Sequence, residues 1–374
     1  MPDEFDSNIV NTLKETDRKC PACDGTMDFD PVTGGLKCPY CGHTEEIKNA
    51  VSNKEDKPSS QNGGSTSAAE ITLEDAESTA NHDWGTATKT IICKSCGAES
   101  IYDAQVISSV CPYCGSNQVT EAGGNDSMAP GGVIPFKIDQ KEAGNRFINW
   151  IKHKFYCPKA AKESAKPKNF KGMYLPYWTF DTQTASSYTA QYGKDRKVKK
   201  GDSEVTVTDW YNTRGNYDEF FDDELVCGTE QHDKNLLRGI EPYDTADNKI
   251  YKPEYVAGFG AEKYSVGVKD AWEKAKASIK GKINSSITSK ILNENHADHV
   301  RGLNVNSSFS AVTFKYLLLP VWISSYKYKD KIYQFAVNGQ TGKVYGKTPI
   351  SAIKVILTII IVIALFALIY YFMG

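Results

Sequence analysis

The sequence predicts a multidomain chain: two small four-cysteine ribbons, an α+β domain built from two helix-plus-meander halves, and one C-terminal transmembrane helix. Three observations carry that prediction. Eight of the ten cysteines fall into two identical frames, a Leu-Pro-x-Trp segment occurs twice in the longest uninterrupted stretch, and the last twenty residues carry no charge. A chain of 374 residues has room for about two to three domains. Its 21 Tyr, 15 Phe and 6 Trp exclude a largely disordered or low-complexity polypeptide.

In chain order, residues 1–48 hold an N-terminal segment and the first ribbon. Met1–Lys19 has no basic cluster followed by an apolar run, so no secretory signal peptide is expected. Cys20, Cys23, Cys38 and Cys41 follow C-x2-C-x14-C-x2-C; Cys93, Cys96, Cys111 and Cys114 repeat those spacings within residues 89–120. Both second pairs read CPYCG. Two intervening residues let one tight turn present both sulfurs to one ion, and two such knuckles complete a tetrahedral site suited to zinc. Disulfides do not fit a cytosolic placement, and a redox pair has no use for two matched frames. Each ribbon is too small for a core of its own, so zinc would supply its folding energy, on the order of 10–16 kcal/mol per site. With four thiolates bound there is no open position, so the two Zn2+ ions are expected to be structural.

Residues 49–88 and 121–132 read as linkers, rich in Ser, Asn, Gly and Lys in the first case and in Gly in the second. They predict ribbons that move relative to each other and to the α+β domain, with a short helix over 70–80. Residues 133–347 are long enough for a sizeable core. Helical spacing of Phe147, Ile148, Ile151 and Phe155 predicts a helix over 140–156, and a longer one is predicted near 270–293. Each precedes a strand-like Leu-Pro-x-Trp, at Leu175–Trp178 and Leu319–Trp322, which places Trp178 and Trp322 at equivalent core positions.

The anchor spans 350–374. Val355–Gly374 is a charge-free run that as a helix reaches roughly 30 Å, the thickness of a bilayer core. Lys343, Lys347 and Lys354 precede it and no basic residue comes after it, an asymmetry that puts the bulk of the chain on the cytoplasmic side of a single-pass cell-membrane protein.

Composition excludes an evident nucleic-acid binder. The net charge is −2, the residues around each ribbon are neutral to acidic, and each four-thiolate zinc centre adds further negative charge. Protein–protein contact suits the ribbons better. Other candidate motifs are weak. GQTGK at Gly339–Lys343 lacks the first glycine and the hydroxyl residue of a phosphate loop and reads as a hairpin turn. His296, Asp298 and His299 read as a solvated helix end. The basic run Lys194, Arg196, Lys197, Lys199, Lys200 reads as a hairpin tip, and Cys157 and Cys227 as buried thiols. No nucleophile elbow, dinucleotide turn or paired-acid motif is present, so no catalytic residue is assigned and an enzyme is not expected.

CPAC…CPYCG, CKSC…CPYCG, LPYWTFD at Leu175–Asp181 and LPVW…YQFAVNGQTGKVYGKTPIS ahead of the anchor together resemble bacterial membrane proteins described as transcription-factor-IIB-type zinc-ribbon-containing proteins. Certain proteins of that type are similar to members of phage-shock-like envelope-stress operons. The resemblance implies a membrane adaptor that recruits cytosolic proteins to the inner face, with phage shock protein A-like and flotillin-like partners. A membrane-tethered nucleic-acid-binding regulator and a ligand-sensing α+β domain are the alternatives.

Overall fold

The first ribbon is a small antiparallel meander, β1 (Asp28–Asp30), β2 (Gly35–Lys37) and β3 (Thr44–Glu45), set between its two cysteine knuckles. The computed structural model describes residues 20–25, 27–47, 67–75, 88–93, 99–103, 119–121, 128, 130–164, 170–201, 203–262, 264–329 and 331–373, with backbone alone between 88 and 121. Next come β4 (Ile71–Thr72), β5 (Thr88–Cys93), β6 (Glu99–Asp103), β7 (Val119–Glu121) and β8 (Gly132–Val133). Helices α1 (Gln140–Lys152) and α2 (Lys159–Ser164) lead into the long hairpin of β9 (Lys171–Lys200) and β10 (Ser203–Cys227). Helix α3 (Lys234–Ile240), β11 (Lys249–Ile250), β12 (Gly260–Ala261) and α4 (Val268–Asn295) come after it. The chain closes with β13 (His299–Tyr328), β14 (Lys331–Asn338), β15 (Val344–Gly346) and α5 (Ala352–Met373).

Strand β9 is the centre of the sheet, antiparallel to β10 on one side and β13 on the other. At about 3.3 Å per residue its 30 residues reach roughly 100 Å, far longer than an ordinary strand. Residues 173–182 are buried on both faces. Because strand side chains alternate, Tyr174, Trp178 and Phe180 enter one core while Leu175 and Tyr177 enter another. On β13, Phe314, Tyr316 and Leu318 join the first core, and Leu317, Leu319 and Val321 the second. Two-sided burial explains why both segments read as continuous apolar runs.

Past Thr182 the pattern switches to strict alternation. Thr184, Ser186, Tyr188 and Ala190 are buried and Gln183, Ala185, Ser187 and Thr189 exposed. Here β9, β10 and β13 form a three-stranded arm covered on one face only. The cover is α4, whose Ile279, Ile283, Ile287 and Ile291 recur every four residues and are fully buried. The helix reaches about 42 Å, and its Val268–Asn295 span extends the predicted one by a few residues at each end.

The two Leu-Pro-x-Trp segments lie side by side, Leu175 opposite Leu319, so the pairing is symmetric about that point. Trp178 Nε1 donates to Val266 O at 2.9 Å, two residues before α4; Trp322 Nε1 donates to Ile138 O at 3.1 Å, two residues before α1. The carbonyls of Pro176 and Pro320 each accept a 2.8 Å bond, from Gly228 and Gly339. Both glycines directly follow the strand that returns from its hairpin. A Cβ on Gly339 would lie 2.7 Å from the Pro320 ring, so the close approach requires glycine there.

Three expectations are corrected. Helix α1 stops at Lys152, and Phe155 is exposed rather than on its buried face. Within the stretch read as the first linker, Ala68 is buried, and Ile71–Thr72 forms a strand paired to β13 where a short helix was expected. The first ribbon, expected to stand apart on its linker, is docked on the α+β domain. Phe29 is buried 5.8 Å from the Tyr255 ring and 6.5 Å from Phe259, its N–H bonds Ala257 O, and Phe259 stacks on core Phe136 at 4.4 Å.

Helix α5 contains a 21-residue stretch, Ala352–Phe372, in which an 18-residue window has mean hydropathy 3.0 with none of it buried, long and apolar enough to cross a membrane.

Candidate functional site

The first cysteine frame closes as its spacing predicts. Both knuckles have the same hydrogen bonds: Cys20 N–H to Gly25 O and Cys38 N–H to His43 O, then Asp24 N–H to Cys20 O and Gly42 N–H to Cys38 O. Asp24 and Gly42 both take positive φ, at 58° and 78°, which turns the chain sharply enough to aim two sulfurs at one point. The four Sγ atoms of Cys20, Cys23, Cys38 and Cys41 all lie within 4.8 Å of one another. Cys20–Cys41 is 3.4 Å and Cys23–Cys38 is 3.5 Å. These separations are well beyond a disulfide bond and near the ~3.8 Å between sulfurs around a tetrahedral ion with 2.3 Å bonds.

The electrostatics of the cluster point the same way. Burial works to raise Cys38, yet the backbone N–H groups of Cys41 and Tyr40 and the neighbouring thiols outweigh it and lower its pKa to about 6. The Gly25 N–H favours the Cys23 thiolate, but the crowding sulfurs of Cys38 and Cys41 dominate and push it up to about 12. Four sulfurs this close cannot all ionise unless a cation neutralises them. This group can hold a metal ion, and four sulfur ligands leave it no vacant position.

Of the second frame, Cys93 ends β5, while Cys96, Cys111 and Cys114 lie outside the described residues. Backbone pairing carries that region into the main sheet. β5 lies between β6 and β7, β6 pairs with β12, and β12 runs parallel to the start of β9.

The minor sequence candidates resolve into structural roles. Asn338 is buried in the Gly339–Lys343 turn, where its Oδ1 accepts the N–H groups of Gln340 and Thr341, both at 2.9 Å. Its Nδ2 donates to Ile240 O and Pro242 O, so the turn clamps the segment after α3. His296 caps α4 in the left-handed conformation, and His299 bonds Asp195 at 3.1 Å on the arm. Lys194–Lys200 is the outer end of the β9–β10 hairpin. Burial raises the Cys157 thiol and pushes Cys227 up to about 12, so both are protonated.

Two polar clusters escape the sequence reading. The carboxylates of Asp181, Asp222 and Asp223 lie within 4.8 Å of one another. Lys315 sits among the acids, 2.8 Å from Asp223, 3.8 Å from Asp181 and 3.4 Å from Glu70, so the site contains its own cation. The second is His232, 3.0 Å from Glu262, whose other oxygen accepts from the Thr229 hydroxyl. Asp181 closes an apolar run and Lys315 stands as a lone charge inside one, a signal that could have been read from LPYWTFD and FKYLLLP.

No family model matches the chain, and no solved structure does. The chain is 31% identical over 341 residues to the protein YdjG of Bacillus subtilis (strain 168), described as uncharacterized; the match covers 90% of this chain and 91% of that one. A match of that identity over nine-tenths of both chains shows that the chain belongs to the YdjG family.

Proposed function

We propose that this protein is a membrane-anchored zinc-ribbon adaptor that recruits cytosolic proteins to the inner face of a bacterial membrane. One observation carries the reading: the root of the apolar helix and the tip of the arm lie at opposite ends of a single strand. At its start β13 pairs His299 with Gly193 near the hairpin tip. Near its end Tyr326 belongs to the same buried cluster as Cys157, whose carbonyl binds Lys354 at the start of α5. The 27 positions of β13 between His299 and Tyr326 separate these contacts by about 90 Å, the geometry of a stalk that holds a protein-binding surface away from a lipid sheet. Confinement to the membrane raises the effective concentration of that surface for its partners.

Zinc suits the first ribbon because four soft thiolates in tetrahedral array favour it over harder divalent ions. Its role is to fold the ribbon that packs on Phe259. The resemblance to transcription-factor-IIB-type zinc-ribbon membrane proteins supplies the candidate partners, a phage shock protein A-like and a flotillin-like protein. The basic tip supports the alternative of a tethered nucleic-acid binder, but two of its cations are already paired, Arg196 with Asp209 at 2.5 Å and Lys197 with Glu204 at 3.6 Å.

Proximity cross-linking of the full-length chain in native membranes tests the proposal, with Cys20→Ser as the ribbon-disrupted comparison. Cytosolic proteins captured by the intact chain and lost with the variant are expected. An unchanged neighbour set, or recovery of nucleic acid with steep salt dependence, would overturn it.

A further inference from the structure

The body touches the apolar helix at its first turn. Ser351 N–H bonds Tyr156 O at 2.9 Å; Lys354 Nζ bonds Phe155 O at 2.7 Å and Cys157 O at 3.1 Å, and lies 5.4 Å over the Phe155 ring. Lys354 is the last charge before the apolar run. If α5 spans a bilayer, the headgroup plane crosses it at Lys354, and the residues bonded to Lys354 lie in that plane.

Those residues suit it. The loop after α1 reads Lys152-His153-Lys154-Phe155-Tyr156. Phe155 is 64% exposed and Tyr156 41%, and beside them on the chain entering α5 are Ile350 at 71% and Ile353 at 79%. Left exposed to water such an apolar patch is unfavourable, whereas aromatic rings are favoured at a membrane interface. The β13–β14 hairpin comes to the same end of the molecule. Tyr326 shares a buried cluster with Cys157 and stacks on Tyr333, and the turn beyond presents Lys329, Lys331 and a 65% exposed Ile332. Lysines interleaved with exposed apolar side chains match an anionic headgroup layer over acyl chains.

We propose that the 152–156 loop and the β13–β14 hairpin form a second lipid contact, a basic and aromatic collar that seats the body on anionic headgroups around the root of α5. The proposal rests on the reading of α5 as a membrane span and goes beyond it by assigning an orientation. A single helix lets the body swivel; a collar holds the sheet end-on, with the arm directed away from the surface.

The test places the photo-cross-linker benzoylphenylalanine at the positions of Phe155, Ile359 or Phe220 in the full-length chain. Each variant is reconstituted into vesicles of phosphatidylglycerol and phosphatidylethanolamine, and lipid adducts are read by mass. Position 359 lies within the apolar helix, and position 220 is an exposed aromatic on the arm. Adducts are expected at 359 and 155 but not at 220, with the yield at 155 falling several-fold in phosphatidylcholine vesicles. Adducts at 359 with 155 as silent as 220 would overturn the collar and leave the anchor standing. Silence at 359 would remove the anchor and the collar with it. Equal yield at 155 in neutral and anionic vesicles would overturn the assignment to anionic headgroups.

Discussion

Asp181 lies where the sheet changes character, and its two oxygens hold two separate irregularities. One accepts the Asp223 N–H at 2.6 Å and the other the Thr313 hydroxyl at 3.4 Å. Those partners flank β-bulges on β10 and β13, where Asp223 and Ala311 both take φ of 50°. Bulges bend a strand and redirect its remaining residues, and this pair falls at the level where two-sided burial gives way to the one-sided arm. Burial raises the Asp181 pKa to about 6, against the pull of the Asp223 N–H and of Lys315. A carboxylate whose folded pKa lies above its unfolded value is more stable protonated in the native state. Its ionisation therefore removes stability as pH rises from about 4 to about 6. Asp181→Asn keeps an acceptor for the Asp223 N–H and abolishes that titration. Urea midpoints measured across this window are expected to lose a falling component in the variant; superimposable profiles would refute the assignment.

Helix α4 makes the arm a folded element rather than a loose ribbon. A three-stranded sheet with one face in water needs its other face covered, and the Ile279–Ile291 stripe covers it. Ile283→Ala leaves a cavity in that layer and is expected to cost about 2–5 kcal/mol in chemical denaturation. Ser289→Ala on the exposed face should stay within about 0.5 kcal/mol. Equal effects of the two substitutions would mean that α4 does not pack as described. The periodicity of this helix was legible in the sequence. The length of the strands beneath it was not, because their distal halves carry Ser, Thr, Asn and Gln, and β13 gains its strand structure there from β9 residues more than one hundred positions away, as with Ser186 and Ser307.

Across the whole molecule, the first ribbon and the core form one connected body. The path runs from Phe29 through Tyr255 and Phe259 to Phe136, and from Phe136 to Trp322 at 4.9 Å. Phe29→Ala cuts it without touching a cysteine. Amide hydrogen exchange should quicken at 27–36 and 255–259, while bound metal and the protection of the α4 amides stay unchanged. Loss of metal in that variant would show that docking and metal binding are one event rather than two.

Spacing within a few residues was enough to read the cysteine knuckles, helix α4, the doubled Leu-Pro-x-Trp and the apolar tail, because each is written in local sequence and needs no distant partner to be recognised. What only the tertiary structure decided was where these parts meet: the ribbon seated on Phe259, the two bulges gripped by Asp181, the lysine enclosed among acids, and Phe155 brought to the root of α5. Those contacts join residues remote in sequence, 132 positions apart for Asp181 and Thr313. Such pairings form only when the whole sheet has closed, since the loop-closure entropy they cost is offset by burial along its full length.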